Sequence, residues 1–359
     1  MELLNVNIPS WSDLSRWIPE LVLCGTFLAA LLGDLVVRGR RPWVPFVITV
    51  FGLITAGSYA VAQLGDPALA GGLTIMGDLV VVDGLAAYFR LLFIFTGLAV
   101  TLFAWTSEEI MGKLRENKGE FFALTAFMTV ASMVMAEATD LLMLYLSMEG
   151  VGLASYVMAG YMRTTLRSTE ASLKYVIFGA VASALMLYGA SLLYGMTGAL
   201  SFEGIRAGLM TNDVHGLGLL VAVVLMIAGF SYKVAAVPFH YWAPDVYEGA
   251  PTPVSALFSV GPKAAGFALM IRFFYTTLAE GPDAVASAGI IERINWPLLM
   301  AVVSAATMTL GNLIALRQVN VKRMLAYSSI AHVGYLLMGF VLLTDAGLAA
   351  ILFYLMVYM

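Results

Sequence analysis

Four ionisable side chains stand inside apolar runs of this sequence, where burying a charge is costly and marks a functional site by default. Glu149 lies in LMLYLSMEGVGLASY, Lys174 in EASLKYVIFGA, Lys233 in MIAGFSYKVAAVPFH and Lys263 in VSALFSVGPKAAGF. One carboxylate cannot neutralise two deeply placed lysines, so at least one of Lys233 and Lys263 is expected to alternate between charged and neutral forms. A lysine that does so carries protons. His332, in YSSIAHVGYLL, stands at helical spacing from Ser328 and Ser329 and is a further candidate station in a polar chain. The competing reading is structural: a buried Glu–Lys pair ties helices together, and Lys174 snorkels to an interface. Two prolines favour the proton-carrying reading. Pro238 follows Lys233 by five residues, and Lys263 directly follows Gly261 and Pro262. A helix break is therefore expected beside each lysine, of the kind tolerated at membrane depth where backbone lines a wet cavity. A kink used for packing alone is the alternative.

The elements that carry these residues are apolar helices. Of 359 residues, 61% are hydrophobic and 12% charged, about half the charge of a soluble domain. Mean hydropathy is +0.89. The eleven long runs are 17–37, 43–64, 84–105, 120–138, 140–161, 170–195, 215–237, 252–275, 295–315, 323–343 and 345–359. Spans of about 20 residues fit the first ten. The last rises only about 22 Å, and the chain stops inside it, which suggests an incomplete polypeptide. The fold class expected is an all-α polytopic membrane protein. A formal net charge of −4 leaves no basic face for nucleic acid. The single cysteine, Cys24, rules out an internal four-thiolate iron–sulfur cluster or disulfide, and His215, His240 and His332 are too few for a two-haem cytochrome b. No glycine-rich nucleotide fingerprint follows a strand.

Basic residues recur after alternate runs: Arg38, Arg40 and Arg41; Lys113, Arg115 and Lys118; Arg163 and Arg167; then Arg317, Lys322 and Arg323. By the positive-inside rule those connections are cytoplasmic and the N-terminus is outside. The loop 238–250 is rich in Pro, aromatics and acids instead, and His240 within it reads as an interface residue. Glu20, Asp34 and Arg90 read as helix-end anchors, Glu137 and Asp140 as residues flanking a turn, and 201–212 as a short interfacial helix. Tyr145–Tyr161 aligns without gaps on Met324–Phe340, a weak internal similarity between the fifth and tenth runs. Their opposite directions would make it an inverted repeat.

The stretch AAVPFHYWAPDVYEGAPTPVSALFSVGPKAAGFALMIR, residues 235–272, resembles the signature of the antiporter-like subunits of proton-pumping NADH:quinone oxidoreductase, respiratory complex I. FFALTAFMTVASMVMAEATDLLMLYLSMEGVGLASYVMAGY, STEASLKYVIFGAVASALMLYGASLLYG and NVKRMLAYSSIAHVGYLLMGF extend the likeness across roughly 85–359. The sister subunits L and M usually carry a histidine where this chain has SVGPKAAG, so the resemblance is to the subunit N type.

The resemblance implies fourteen helices with two inverted five-helix repeats, of which about eleven helices fall here. It implies helices one to three in 1–106, the first repeat in 107–280 and the start of a second in 281–359. It puts Glu149 and Lys233 in the family's Glu–Lys pair and Lys263 at its central lysine, with Lys174 and His332 as weaker relay members. The family's second broken helix, with its lysine, has no counterpart in these residues. Function, by resemblance, is proton translocation driven by quinone reduction elsewhere, in a multi-pass subunit of a bacterial inner membrane or, alternatively, a mitochondrial one. NADH, FMN, iron–sulfur clusters and quinone belong to partner subunits, with no cofactor in this chain. Neighbouring antiporter-like and small channel subunits, and lipids, are the expected partners. The rival is an Mrp-type cation/proton antiporter subunit.

Overall fold

The computed structural model describes residues 11–37, 39–65, 71–112, 118–212, 214–279 and 288–359. Arg38, Lys113 and Arg115, used above for orientation, lie outside the described residues. The chain divides into two compact units, Met1–Ser147 and Met148–Met359.

The first unit holds α1 (Trp11–Arg16), α2 (Ile18–Val36), α3 (Trp43–Gln63), a hairpin of β1 (Leu73–Ile75) and β2 (Val80–Val82), α4 (Gly84–Thr106) and α5 (Lys118–Glu137). The hairpin is antiparallel, with Leu73 opposite Val82 and Ile75 opposite Val80. Ile75, Val80 and Val82 form a small apolar cluster with Trp17 and Met143. Helix ends are set by local chemistry. Asp83 accepts from the Ala86 N–H at 2.8 Å to start α4, and Asp140 accepts from the Met143 N–H at 2.6 Å to start α6 (Leu141–Ala159). The boundary between units falls within α6.

The second unit continues with α7 (Leu166–Thr197), α8 (Phe202–Thr211), α9 (Gly216–Val234), α10 (Trp242–Gly249), α11 (Thr252–Thr277), α12 (Ala288–Arg293), α13 (Trp296–Ala315), α14 (Val321–Val341) and α15 (Asp345–Tyr358). Among the described residues ten helices are long and apolar enough to cross a membrane, and α15 is a shorter apolar helix. They coincide with the eleven runs read from the sequence, within a few residues at each end, and α8 is the short helix expected at 201–212. α11 is buried over most of its length, whereas only 22% of the apolar window of α13 is buried. Small residues bring helices close. A Cβ at Gly334 of α14 would meet the Met308 backbone nitrogen of α13 at 2.5 Å.

The two expected helix breaks turn out differently. Beside Lys233 the break is real but earlier than Pro238: α9 ends at Val234, with Ala235 in the left-handed region at φ 63°. The Ala236 N–H reaches back to the Ser231 carbonyl at 2.7 Å and the Ala235 N–H to Tyr232 at 3.1 Å, so the terminal carbonyls are satisfied. Beside Lys263 there is no break, because α11 runs continuously through Pro262. Proline at 262 removes the donor that the Phe258 carbonyl would have used. The Tyr247 hydroxyl supplies another at 2.9 Å. The helix therefore runs past the proline with that carbonyl satisfied rather than ending.

Candidate functional site: buried lysines in the second unit

Lys233 is the second-to-last residue of α9 and is 3% exposed. Its Nζ donates to the Met148 carbonyl on α6 at 2.9 Å. Glu149, the next residue on α6, accepts instead from the Ser183 hydroxyl of α7. Among the described residues no contact ion pair joins Glu149 to Lys233, although the two interact electrostatically. The pair expected from the sequence thus faces one locale, with each partner held by a neutral group.

Tyr232, the residue before Lys233, is pinned from α7 and α10. Trp242 of α10 donates its indole N–H to the Tyr232 carbonyl at 2.9 Å and stacks on Tyr175 of α7 with ring centroids 4.3 Å apart. The Tyr232 hydroxyl donates to the Tyr175 carbonyl at 3.1 Å. Gly266 on α11 lets that helix approach the same end of α9: a Cβ there would lie 2.6 Å from a Val234 methyl. His240, expected at an interface, is 3% exposed within the turn between α9 and α10. Burial holds its imidazole below the usual histidine range, against a backbone hydrogen bond to Pro238.

Lys263 sits mid-helix on α11, 3% exposed. Its Nζ donates to the Ser329 hydroxyl of α14 at 2.5 Å and lies 5.5 Å from the centre of the Tyr247 ring. His332, one turn along α14 from Ser329, contacts the Tyr354 hydroxyl through Nδ1 at 2.5 Å. Lys263, Ser329, His332 and Tyr358 line one small cavity of about 10 Å³, at the lower bound for a single water. The structure therefore brings Lys263 and His332 together, as a polar chain requires.

Lys174 has other partners. It forms ion pairs at 2.6 Å with both Glu170, one turn earlier on α7, and Asp245 of α10. Asp245 also takes Arg323 of α14. Glu248 binds Arg323 at 3.2 Å and Arg167 at 3.6 Å. These six charged residues line an open polar cavity of about 290 Å³. Burial opposes the Asp245 carboxylate, but hydrogen bonds from Lys174 and Arg323 outweigh it and hold the carboxyl below the usual carboxylate range. Lys174 thus belongs to an ion-pair cluster at a helix end, consistent with its position near the start of a 32-residue helix. The acids of 238–250 were noted in the sequence without their partners, Ser329 was named there only beside His332 and not as the Lys263 acceptor, and Ser183 and Tyr247 carried no signal. Among the described residues no group of three or more His, Cys, Asp or Glu is placed to hold a metal ion.

Comparison with known proteins agrees with this architecture. Residues 138–359 match the family model described as NADH:quinone oxidoreductase/Mrp antiporter, transmembrane. The chain is 43% identical over 345 residues to NADH-quinone oxidoreductase subunit N 2 of Chloroherpeton thalassium, covering 96% of this chain and 66% of that protein. It thus spans just under two thirds of that relative's length. A chain of respiratory complex I from Thermus thermophilus superposes with a TM-score of 0.74 at 30% identity, over 95% of this chain and 67% of that one. A chain of the Mrp complex from Dietzia sp. gives 0.76 at 23% identity, over 95% and 61%, and shares the fold. With a family match over residues 138–359 and a predominantly helical architecture, the chain belongs to the NADH:quinone oxidoreductase/Mrp antiporter transmembrane family.

Proposed function

We propose that this chain is a proton-translocating membrane subunit of the subunit N type in an NADH:quinone oxidoreductase. The observation that carries the reading is the burial of two lysines, Lys233 and Lys263, whose ammonium groups are held by a carbonyl and a hydroxyl rather than by contact ion pairs. A structural salt bridge would pair them with carboxylates. A proton carrier needs partners that tolerate both its forms, and a carbonyl or hydroxyl does so.

In this mechanism Glu149 alternates between Ser183 and Lys233. Its approach stabilises the charged Lys233, and its withdrawal releases the proton towards Lys263. The Lys263 ammonium passes a proton on past Ser329 and His332, and Lys174 conditions the charged cavity at the α7 end. Residues 1–106 form the N-terminal helices, 107–280 a first repeat and 281–359 the start of a second, inverted one. NADH oxidation, flavin, iron–sulfur and quinone chemistry are assigned to partner subunits, among them neighbouring antiporter-like and small channel subunits. The membrane is a bacterial plasma membrane with the N-terminus outside. The subunit N name of the Chloroherpeton relative and the likeness to the Thermus complex support this reading.

An Mrp-type cation/proton antiporter is the second reading, supported by the shared fold of the Dietzia complex. Vesicles carrying the assembled complex separate the two. NADH-driven acidification without sodium is expected. Sodium-dependent proton exchange in vesicles lacking any NADH dehydrogenase, with no NADH-driven acidification, overturns the proposal.

A further inference from the structure

The first unit contains none of the relay residues, yet it buries three charged side chains in one place. Arg90 of α4 reaches Glu20 of α2 and Glu137 of α5, and side-chain exposure is 1% for the arginine and 0% for both acids. Arg90 Nε donates to Glu20 Oε1 at 2.7 Å and to Glu137 Oε1 at 2.9 Å. Nη2 donates to Glu20 Oε2 at 3.1 Å, and Nη1 to the Gln63 amide oxygen at 3.1 Å. The Trp17 indole N–H donates to Glu137 Oε2 at 2.8 Å. Gln63 is oriented by donating its own amide to the Arg16 carbonyl at 3.2 Å. Glu20 stands in the first turn of α2 and Glu137 at the end of α5, but both, with Arg90, are buried rather than set at a wet interface.

The charges do not balance. Arginine stays protonated in proteins, so it supplies one positive charge. Two ionised carboxylates would leave a fully buried excess negative charge, which an apolar interior relieves by neutralising the group. The geometry makes the same point independently. A single Nε–H is shared between oxygens of two different carboxyl groups, so Glu20 Oε1 and Glu137 Oε1 converge on one hydrogen. The two side chains are within hydrogen-bond reach of each other. Carboxyl oxygens brought this close repel unless a proton lies between them. The charged groups acting on Glu20 are Glu137 and Arg90, and those acting on Arg90 are the same two acids. Cys24, one turn along α2, lies within the field of Glu20.

We propose that Glu20 and Glu137 form a proton-binding site, in which one proton taken from water is shared between the two carboxyls and the pair is clamped by Arg90. One carboxylate becomes a carboxylic acid whose O–H donates to the other, and the cluster is neutral overall. The proposal does not depend on the pumping assignment, since it concerns residues of the first unit alone.

Infrared spectra of the assembled complex near neutral pH, in H2O and in D2O, test it. Wild type is compared with Glu20→Gln and Glu137→Gln. Each replacement leaves one acid matched to Arg90, which then ionises. A shared proton predicts that either variant loses the same deuterium-sensitive carboxylic acid C=O band, one per chain. A band lost in only one variant, or in neither, overturns the shared site. Glu20→Asp keeps an acid in place and guards against a variant that fails to assemble: the band shifts in frequency, and an unmoved band also overturns the proposal.

Discussion

The Tyr247 hydroxyl donates at 2.9 Å to the Phe258 carbonyl, the acceptor that Pro262 leaves without its helical N–H. A tyrosine from α10 thereby completes α11 at the turn that carries Lys263. Its ring lies under the Lys263 ammonium at 5.5 Å. Tyr247→Phe keeps that ring and deletes only the donor. The expected cost is about 1–3 kcal/mol, the usual penalty for a buried acceptor left unpaired. Pro262→Ala restores the backbone donor, so Tyr247→Phe in that background is expected to cost far less. Thermal unfolding of the four proteins in detergent forms the double-mutant cycle. Equal costs in both backgrounds contradict the assignment.

Asp245 predicts a pH dependence with a definite sign. Its folded carboxyl is held below the usual range by Lys174 and Arg323, despite the opposing effect of burial. The ionised form is thus favoured by folding, and its contribution is complete above the ordinary aspartate pKa of about 4. It is lost as pH falls through the lower folded value. Asp245→Asn is expected to be less stable at neutral pH and to show a shallower acid decline. Unfolding midpoints measured across the acid range check this, and parallel declines in the two proteins contradict it.

Ser183 holds Glu149 away from a contact pair with Lys233. Ser183→Ala removes that hold and biases Glu149 towards the lysine. A hydrogen bond to a charged group contributes about 1.5 kcal/mol or more, so NADH-driven proton transport is expected to slow by about tenfold while assembly persists. Transport rates in vesicles, normalised to assembled complex, provide the measurement.

Lys263→Arg separates charge from proton transfer. Arginine keeps the positive charge beside Ser329 but does not release its proton in proteins. Assembly is expected to survive, and proton transport to fall by on the order of tenfold or more. Transport at the wild-type rate would mean that Lys263 acts only through its charge.

The helices were legible because apolar runs of membrane length have no soluble alternative, and their ends fell within a few residues of the observed ones. The buried lysines were legible for the same reason, since scarce charge inside a span marks itself. Contacts between distant positions were not. Glu20 and Arg90 are 70 residues apart and Arg90 and Glu137 are 47 apart, so Glu20 and Arg90 alone read as helix-end anchors and Glu137 as flanking a turn. Pro262 pointed to a break, and nothing local announced that Tyr247, eleven residues before Phe258, would repair it. The resemblance put Glu149 and Lys233 in one Glu–Lys pair, whereas the helix packing gives the Lys233 ammonium the Met148 carbonyl. The acids of 238–250 could have been matched to the basic residues 322 and 323 by charge complementarity, which sets Asp245 and Glu248 against Arg323.

The central claim is that Lys233 and Lys263 carry protons. The direct measurement is the number of protons moved per NADH oxidised by the reconstituted complex carrying Lys233→Ala or Lys263→Ala. A lowered ratio in both variants, with the complex assembled and quinone reduction still measurable, is the predicted result. Wild-type stoichiometry in both would contradict the relay.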